Sequence, residues 1–518
     1  MGWWTDFTDG AVQAFCASGS PTTGPGRAVQ KCFLRANAQI VAVGFAEKPK
    51  ASSLFGGTRA QYVNLSEPDL VAADSSALGS INQLGRTPPI AVKVTPAQSI
   101  MVRLRLVRQE DRGNFPAGSE TLSAREAKLD HLTWASAEDS YSTDENGELL
   151  VEPGLSVAAA AGYKYRVEAA LPSGSFTQGS NWVEIRRRFY IHPVVRYASG
   201  RAAGMAAIDS AIASFGKYQL EVRKTLSVAG NELGVWQDSD LSPDVKGIGN
   251  DTLATNADAK KMKPHGIAII LGEFVSLSDL ETQTWELEFE RTDATPFPPS
   301  VTIPLQKNGL WYVVVPLTNG KQVVKASVRP DGLTGWFSSV DLPKSALAGV
   351  DAFSMQVVVD LGEALKTLGT ESHLTLTLSL KCMRGWAVGW AYPDTPVIYL
   401  NMRDPNTNSV LASAGALALV VHEVGHKLHL TSDGSGSLPD KQPHHYPSFS
   451  SLPLPAGYTG GMHQGPHCST GVPAGTNVWD PAAHTAATCT MWGSLKQSAA
   501  YCPECLTVLR KVDLSGGF

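Results

Sequence analysis

Val420-Val421-His422-Glu423-Val424-Gly425-His426 reads HExxH within a stretch that should be helical. The residues leading into it, Val410 to Val421, are apolar and mostly good helix formers, so the helix should be buried on most sides. Two histidines four apart lie one turn above each other, and both imidazoles can reach one metal ion. The glutamate between them points to the side, where it can act on a water. This is the minimal apparatus of a zinc hydrolase that attacks peptide bonds. The plainer reading is a helix with two partly buried, hydrogen-bonded histidines. Gly425, which allows close approach of another element, and the His and Cys cluster that follows favour the metal.

A catalytic zinc usually takes three protein ligands and leaves a position for water. The downstream donors are His429, Asp433, His444, His445, His463, His467, Asp480 and His484. His429 shares the helical face of His422 but lies about 10 Å further along the axis at the standard rise, too far for one tetrahedral site. Better placed is Gly460-Gly-Met-His463-Gln-Gly-Pro-His467-Cys468, whose glycines and proline predict a loop that folds back under the helix.

There are seven cysteines: Cys16, Cys32, Cys382, Cys468, Cys489, Cys502 and Cys505. Cys502-Pro-Glu-Cys505 is a CxxC pair, and with Cys468 and Cys489 it can complete a four-cysteine zinc site. Two disulfides are an alternative. A redox CxxC is another, although no thioredoxin-like βαβ pattern precedes Cys502.

His467-Cys468, then Cys489-Thr490-Met491, then Cys502 to Cys505 follow HExxH in an order that resembles the archaemetzincin-type metallopeptidases, a branch of the metzincins. Their signature runs HExxHxxGxxHC, then CxM, then CxxC. The resemblance implies that His422, His426 and His467 bind a catalytic zinc, with His463 a rival for the third place. It implies Glu423 as general base, Met491 as the Met-turn residue beneath the metal, and Cys468, Cys489, Cys502 and Cys505 around a structural zinc. Two zinc ions per chain are therefore expected. The order is kept while the spacing is not. Residues 427 to 466, forty in all, separate the second and third histidines where the family has five. His429 stands where the family has a glycine that bends the chain out of the helix. The stretch from Thr431 to Pro466, rich in Gly, Ser, Pro and His, reads as a long loop beside the site.

A chain of 518 residues suggests two to four domains. A net charge of −5 gives no reason to expect a nucleic-acid partner. The apolar run 410–421 is too short to span a bilayer, and the N-terminal residues lack the pattern of a signal peptide. Residues 1–90 are rich in Gly, Ser, Ala and Pro and receive no fold assignment. Over 91–200, alternating stretches such as Ile100 to Val107, Tyr163 to Ala169 and Trp182 to Ile191 predict a β-sandwich of immunoglobulin-like type. Arg186, Arg187 and Arg188 read there as a solvated strand face. From 201 to 518 the pattern reads as a zincin-type domain with a β-rich insertion at about 281–380. A helix is predicted over 202–215, and strands at 218–228 and 266–271. Thr395 to Asn401 reads as the edge strand that pairs with a bound peptide.

The fold class expected is thus α+β multidomain, with a β-sandwich-like N-terminal module followed by a zincin-type metallopeptidase domain. The function expected is hydrolysis of a peptide or protein substrate by water activated at zinc, with Glu423 as general base. Tyr458, in the long loop, is a possible oxyanion donor. The rival reading is a non-catalytic β-domain adhesin or docking protein that keeps only the four-cysteine zinc. By architecture alone, β modules joined to a leaderless zinc peptidase also resemble bacterial toxin effectors delivered by contact-dependent or type VI secretion. That analogy implies a secretion-machinery partner at the N-terminal β region. Cytoplasmic location is the alternative to such export.

Overall fold

The computed structural model describes residues 37–46, 57–70, 84–117, 132–134, 140–172, 176–178, 181–195, 201–225, 265–272, 281–307, 310–314, 325–330, 339–351, 354–384, 389–391, 396–404, 409–431, 445–446, 466–473, 481–493 and 498–518, with residues 54, 476 and 496. The chain is a strand-rich mixture of α and β structure with several sheets.

Two β layers form first. Strands β1 (Gln39–Phe45), β3 (Ile90–Thr95) and β5 (Glu148–Val151) make one antiparallel sheet, in the order β1-β3-β5. Strands β4 (Met101–Glu110) and β6 (Tyr163–Ala170) pair antiparallel in the other, and β6 also meets β7 (Trp182–Val195). Alternation along each strand sends Val43, Phe45, Ile90, Val92, Leu104, Leu106, Tyr165 and Val167 into one shared core. The unassigned region 1–90 therefore contributes β1, and also β2 (Thr58–Tyr62), which runs parallel to the first half of β7.

Strand β7 does not stop at that layer. Its second half pairs in parallel with β8 (Leu220–Lys224) on one side and β9 (Gly266–Gly272) on the other. The boundary expected at residue 200 thus follows a strand shared by both parts. Between β7 and β8 the chain crosses over through α1 (Arg201–Phe215). After β9 it leaves the sheet and builds a separate β unit between residues 281 and 384. There Glu281–Glu290 pairs along its whole length with His373–Arg384, over a core that includes Trp285, Ile303, Tyr312, Val328 and Leu376.

The chain then returns as β10 (Gly389–Ala391) and β11 (Val397–Asn401). The second sheet is ordered β8-β7-β9-β11-β10, parallel throughout except for antiparallel β10. This corrects the expectation for 395–401. β11 is hydrogen-bonded on both sides and buried at every position, as its run Val-Ile-Tyr-Leu-Asn suits. The outer strand is β10, a three-residue Gly-Trp-Ala piece too short to read as a strand in sequence.

Helix α2 (Ser413–Lys427) packs with α1 against this sheet. Leu419, Val420 and Val424 join Ile208, Ala211, Ile267, Ile269, Ile398 and Leu400 in one core. Among the described residues no helix is long and apolar enough to cross a membrane.

Two of the three arginines are also not on the solvated face expected of them, while Arg186 stays partly exposed. Arg187 and Arg188 are buried, and Arg188 pairs with Glu221 at 3.1 Å. Arg187 Nη1 donates to the carbonyls of Leu509 and Val512, both at 2.8 Å, at the end of helix α3 (Pro503–Lys511). A guanidinium there satisfies carbonyls that the helix leaves open. Arg510 ties α3 to the first layer through Ala161 O at 3.1 Å and Glu110 at 2.6 Å. Helix α3 is therefore fixed to both halves of the molecule.

Candidate metal centre

Helix α2 ends in a left-handed reversal. His429 takes the left-handed conformation, φ 53°. Its N–H donates to His426 O at 3.0 Å, and Leu430 N–H reaches back to Gly425 O at 3.1 Å. These two bonds make the helix terminator that glycine ordinarily serves. His429 thus supplies the bend without the glycine, and histidine is among the residues that tolerate this region.

The chain comes back to the site as a two-stranded ribbon. β12 (His445–Tyr446) pairs antiparallel with β13 (His467–Cys468). His467 is thereby brought to the two helix histidines despite the long interval. Side-chain nitrogens of His422, His426 and His467 all lie within 4.8 Å of one another. The ring centroids of His422 and His426 lie 4.8 Å apart, and that of His467 lies 5.4 Å from the first and 5.0 Å from the second. The Nε2 atoms of His422 and His426 face each other at 3.1 Å.

Each helix histidine is held from behind. His422 Nδ1 lies 2.6 Å from Thr490 O and can only donate to that carbonyl, which leaves Nε2 as a free lone pair. Thr431 Oγ1 lies 3.5 Å from His426 Nδ1. Burial lowers the pKa of both rings, and for His426 the charges of His422, Lys427 and His429 add to it. Both are thus neutral near pH 7, the form that ligates a metal.

Glu423 is buried beside them. Burial pushes its carboxyl up to about 8, against the opposing pull of Lys427 and of a hydrogen bond from the Ala391 backbone. The carboxylate lies against β10. A Cβ built on Gly389 would stand 2.3 Å from Glu423 Oε1, so this place needs glycine. On the other side of the helix, a Cβ on Gly425 would stand 2.3 Å from Met491 Sδ. Met491 is fully buried directly beneath the helix, next in sequence to Thr490.

A second donor set lies alongside. Cys468, Cys489, Cys502 and Cys505 are buried, free of disulfides, and gathered with their sulfurs within 4.8 Å of one another. Cys468 Sγ is 3.6 Å from Cys502 Sγ, and Cys489 Sγ is 3.7 Å from Cys505 Sγ. Hydrogen bonds among the four, with burial, raise the thiol pKa values of Cys489 and Cys505. Four thiols packed in this way become thiolates most readily when a cation is shared between them. Cys382 stands apart, in the core of the 281–384 unit, where burial pushes its thiol up to about 12.

His463, Asp433, His444, Tyr458, Asp480, Cys16 and Cys32 lie outside the described residues. His484, in the short helix Pro481–Ala486, is not in either donor set. Nothing in the sequence marks Thr490, Thr431, Gly389 or Ala391 as parts of the site. Thr490 acts through its backbone carbonyl, for which side-chain chemistry gives no signal.

Comparison with family models, curated proteins and solved structures finds no match.

Proposed function

We propose that the chain is a zinc-dependent peptidase, with His422, His426 and His467 as ligands of the catalytic ion and Glu423 as general base. The observation that carries this reading is the convergence of three imidazoles, one from a distant segment, beside a buried carboxyl. The donor distances suit zinc. Tetrahedral sites with Zn–N of 2.0–2.1 Å place ligand nitrogens about 3.3–3.4 Å apart, and Zn–S of 2.3 Å places sulfurs about 3.8 Å apart. The corresponding separations are 3.1 Å for the helix histidines and 3.6 and 3.7 Å for the cysteine pairs. Three nitrogen donors leave a fourth position open, as catalytic sites do, while four sulfurs make a closed structural site.

A zinc ion bound at the histidines would polarise a substrate carbonyl and lower the pKa of water to about 7. The chain's own groups do the rest. Glu423 takes the proton from the attacking water on its carboxylate and delivers it to the leaving amine. Thr490 O fixes the His422 tautomer. β10, the antiparallel outer strand next to Glu423, can accept an extended peptide by backbone pairing.

The test is Glu423→Ala assayed with an unstructured protein substrate and with zinc content measured on the same sample. Zinc should be retained and hydrolysis should fall by about 10²–10⁴-fold, the range general base catalysis supplies. Undiminished hydrolysis in the variant would refute the assignment. A single bound zinc ion without any hydrolysis in the wild type would favour the docking-protein reading.

A further inference from the structure

We infer that the four-cysteine cluster is the positioning element of the three-histidine site, so that the histidines take up ligand geometry only when the cluster is closed around its own metal. This rests on the reading that both donor sets hold zinc.

Three of the four cysteines are chain neighbours of a residue that builds the histidine site. Cys468 directly follows His467, the third donor. Cys489 precedes Thr490, whose carbonyl accepts from His422 Nδ1 at 2.6 Å. The Thr490 hydroxyl also donates to Ala418 O within α2, at 3.4 Å. Cys502 follows Tyr501, whose hydroxyl donates to Val421 O at 2.7 Å, one residue before His422. The fourth, Cys505, sits inside α3. Consecutive Cα atoms are 3.8 Å apart, so a displacement of any of the first three sulfurs is passed to its neighbour with little loss.

The two halves of the cluster differ in how they are held. Cys502 and Cys505 belong to the start of α3, which Arg187 and Arg510 fix to the sheet and to the first β layer. Cys468 and Cys489 lie on segments with little regular structure, a two-residue strand and a turn. Those segments are joined to each other by Cys468 N–H donating to Met491 O at 2.8 Å, and to the α3 side by Thr490 N–H donating to Ala500 O at 2.9 Å. Closing four sulfurs on one ion pulls the loosely held pair against the fixed pair. The same movement sets His467 opposite His422 and His426, and sets Thr490 O behind His422.

The variant that reads this is Cys505→Ser, because neither chain neighbour of Cys505 is part of the histidine site. The full chain is loaded with zinc, dialysed, and its zinc counted by elemental analysis. The affinity of what remains is measured by competition with a chromogenic zinc chelator. The wild type should hold two ions. Cys505→Ser should lose both under the same dialysis, with affinity at the histidines lowered at least about 10–100-fold, as loss of ligand-orienting partners does. Cys505→His, which makes a Cys3His set that zinc also accepts, should restore the second ion. His426→Ala should keep one tightly held ion: the coupling is reciprocal, but four sulfur ligands hold zinc without help from the histidines. Should Cys505→Ser fail to show the wild-type circular dichroism, native wild-type protein treated with an organomercurial gives the same reading, with both ions released together. One ion retained with wild-type affinity, in the variant or after mercurial treatment, overturns the inference. A wild type that binds no zinc removes the proposed function as well, and so is distinguishable from failure of the coupling alone.

Discussion

Glu423→Gln should flatten the pH dependence of stability in the metal-free protein. Burial carries the Glu423 carboxyl from an ordinary 4.5 to about 8 in the folded chain. Between those values the unfolded chain has lost this proton and the folded chain keeps it, so folding takes up a proton. Stability therefore falls as pH rises, by about 1.4 kcal/mol per pH unit from this group, to a total of about 5 kcal/mol above pH 8. Below pH 4.5 both states are neutral and the penalty vanishes. Glutamine never ionises, so the variant lacks the slope. The comparison concerns slopes, so a constant packing difference between Glu and Gln cancels. The assay is amide hydrogen exchange across Ser413–Lys427 in the presence of chelator, which reports the opening free energy of this helix rather than of the whole chain. The gap between variant and wild type should widen steadily from pH 5 to pH 8. With zinc restored it should narrow, because a dication beside the carboxyl favours the ionised form. Parallel profiles in chelator would refute the reasoning.

His429→Gly should stabilise the end of helix α2 by about 1 kcal/mol, since glycine takes φ 53° without the strain of a side chain. His429→Val should destabilise it, and thermal unfolding of the pair settles the sign. Gly389→Ala places a methyl 2.3 Å from Glu423 Oε1, which forces the carboxyl to shift. It should lower kcat by about 10²-fold, the scale of a misplaced catalytic group, while zinc content is unchanged. Unaltered kcat would show that the carboxylate has another productive position.

Local chemistry made the helix and both donor sets legible. HExxH on an apolar helical run, His467 beside Cys468, and Cys502 to Cys505 each announce themselves by residue type. Alternation announces β4, β6 and β7. Partners remote in sequence were not legible. Arg187 reads as one of three charged residues on a strand until its acceptors, Leu509 and Val512, are seen at the end of α3. β11 reads as an edge strand because its outer neighbour β10 has only three residues, one of them a glycine required by Glu423. β1 and β2 were hidden in a Gly-rich, Ser-rich stretch, where only pairing with β3 and β7 gives the strands their place.

Donors far apart in sequence can share one site at modest cost. A third ligand must return to the helix end, and the length of chain between matters only through the entropy of closing the loop. Going from five residues to forty is three doublings, or about 2 kcal/mol. Pairing of His445–Tyr446 with His467–Cys468 recovers part of that by fixing the returning strand. Closure of Cys468 with Cys489, Cys502 and Cys505 anchors the very next residue. The reversal at His429 is needed whatever the interval, since the helix must stop before its axis carries the chain past the three histidines. Contacts made by adjacent residues are therefore strict, while the interval from His429 to Pro466 is free to grow. The order of donors, each beside the residue that positions it, therefore carries more information about this site than the intervals between them.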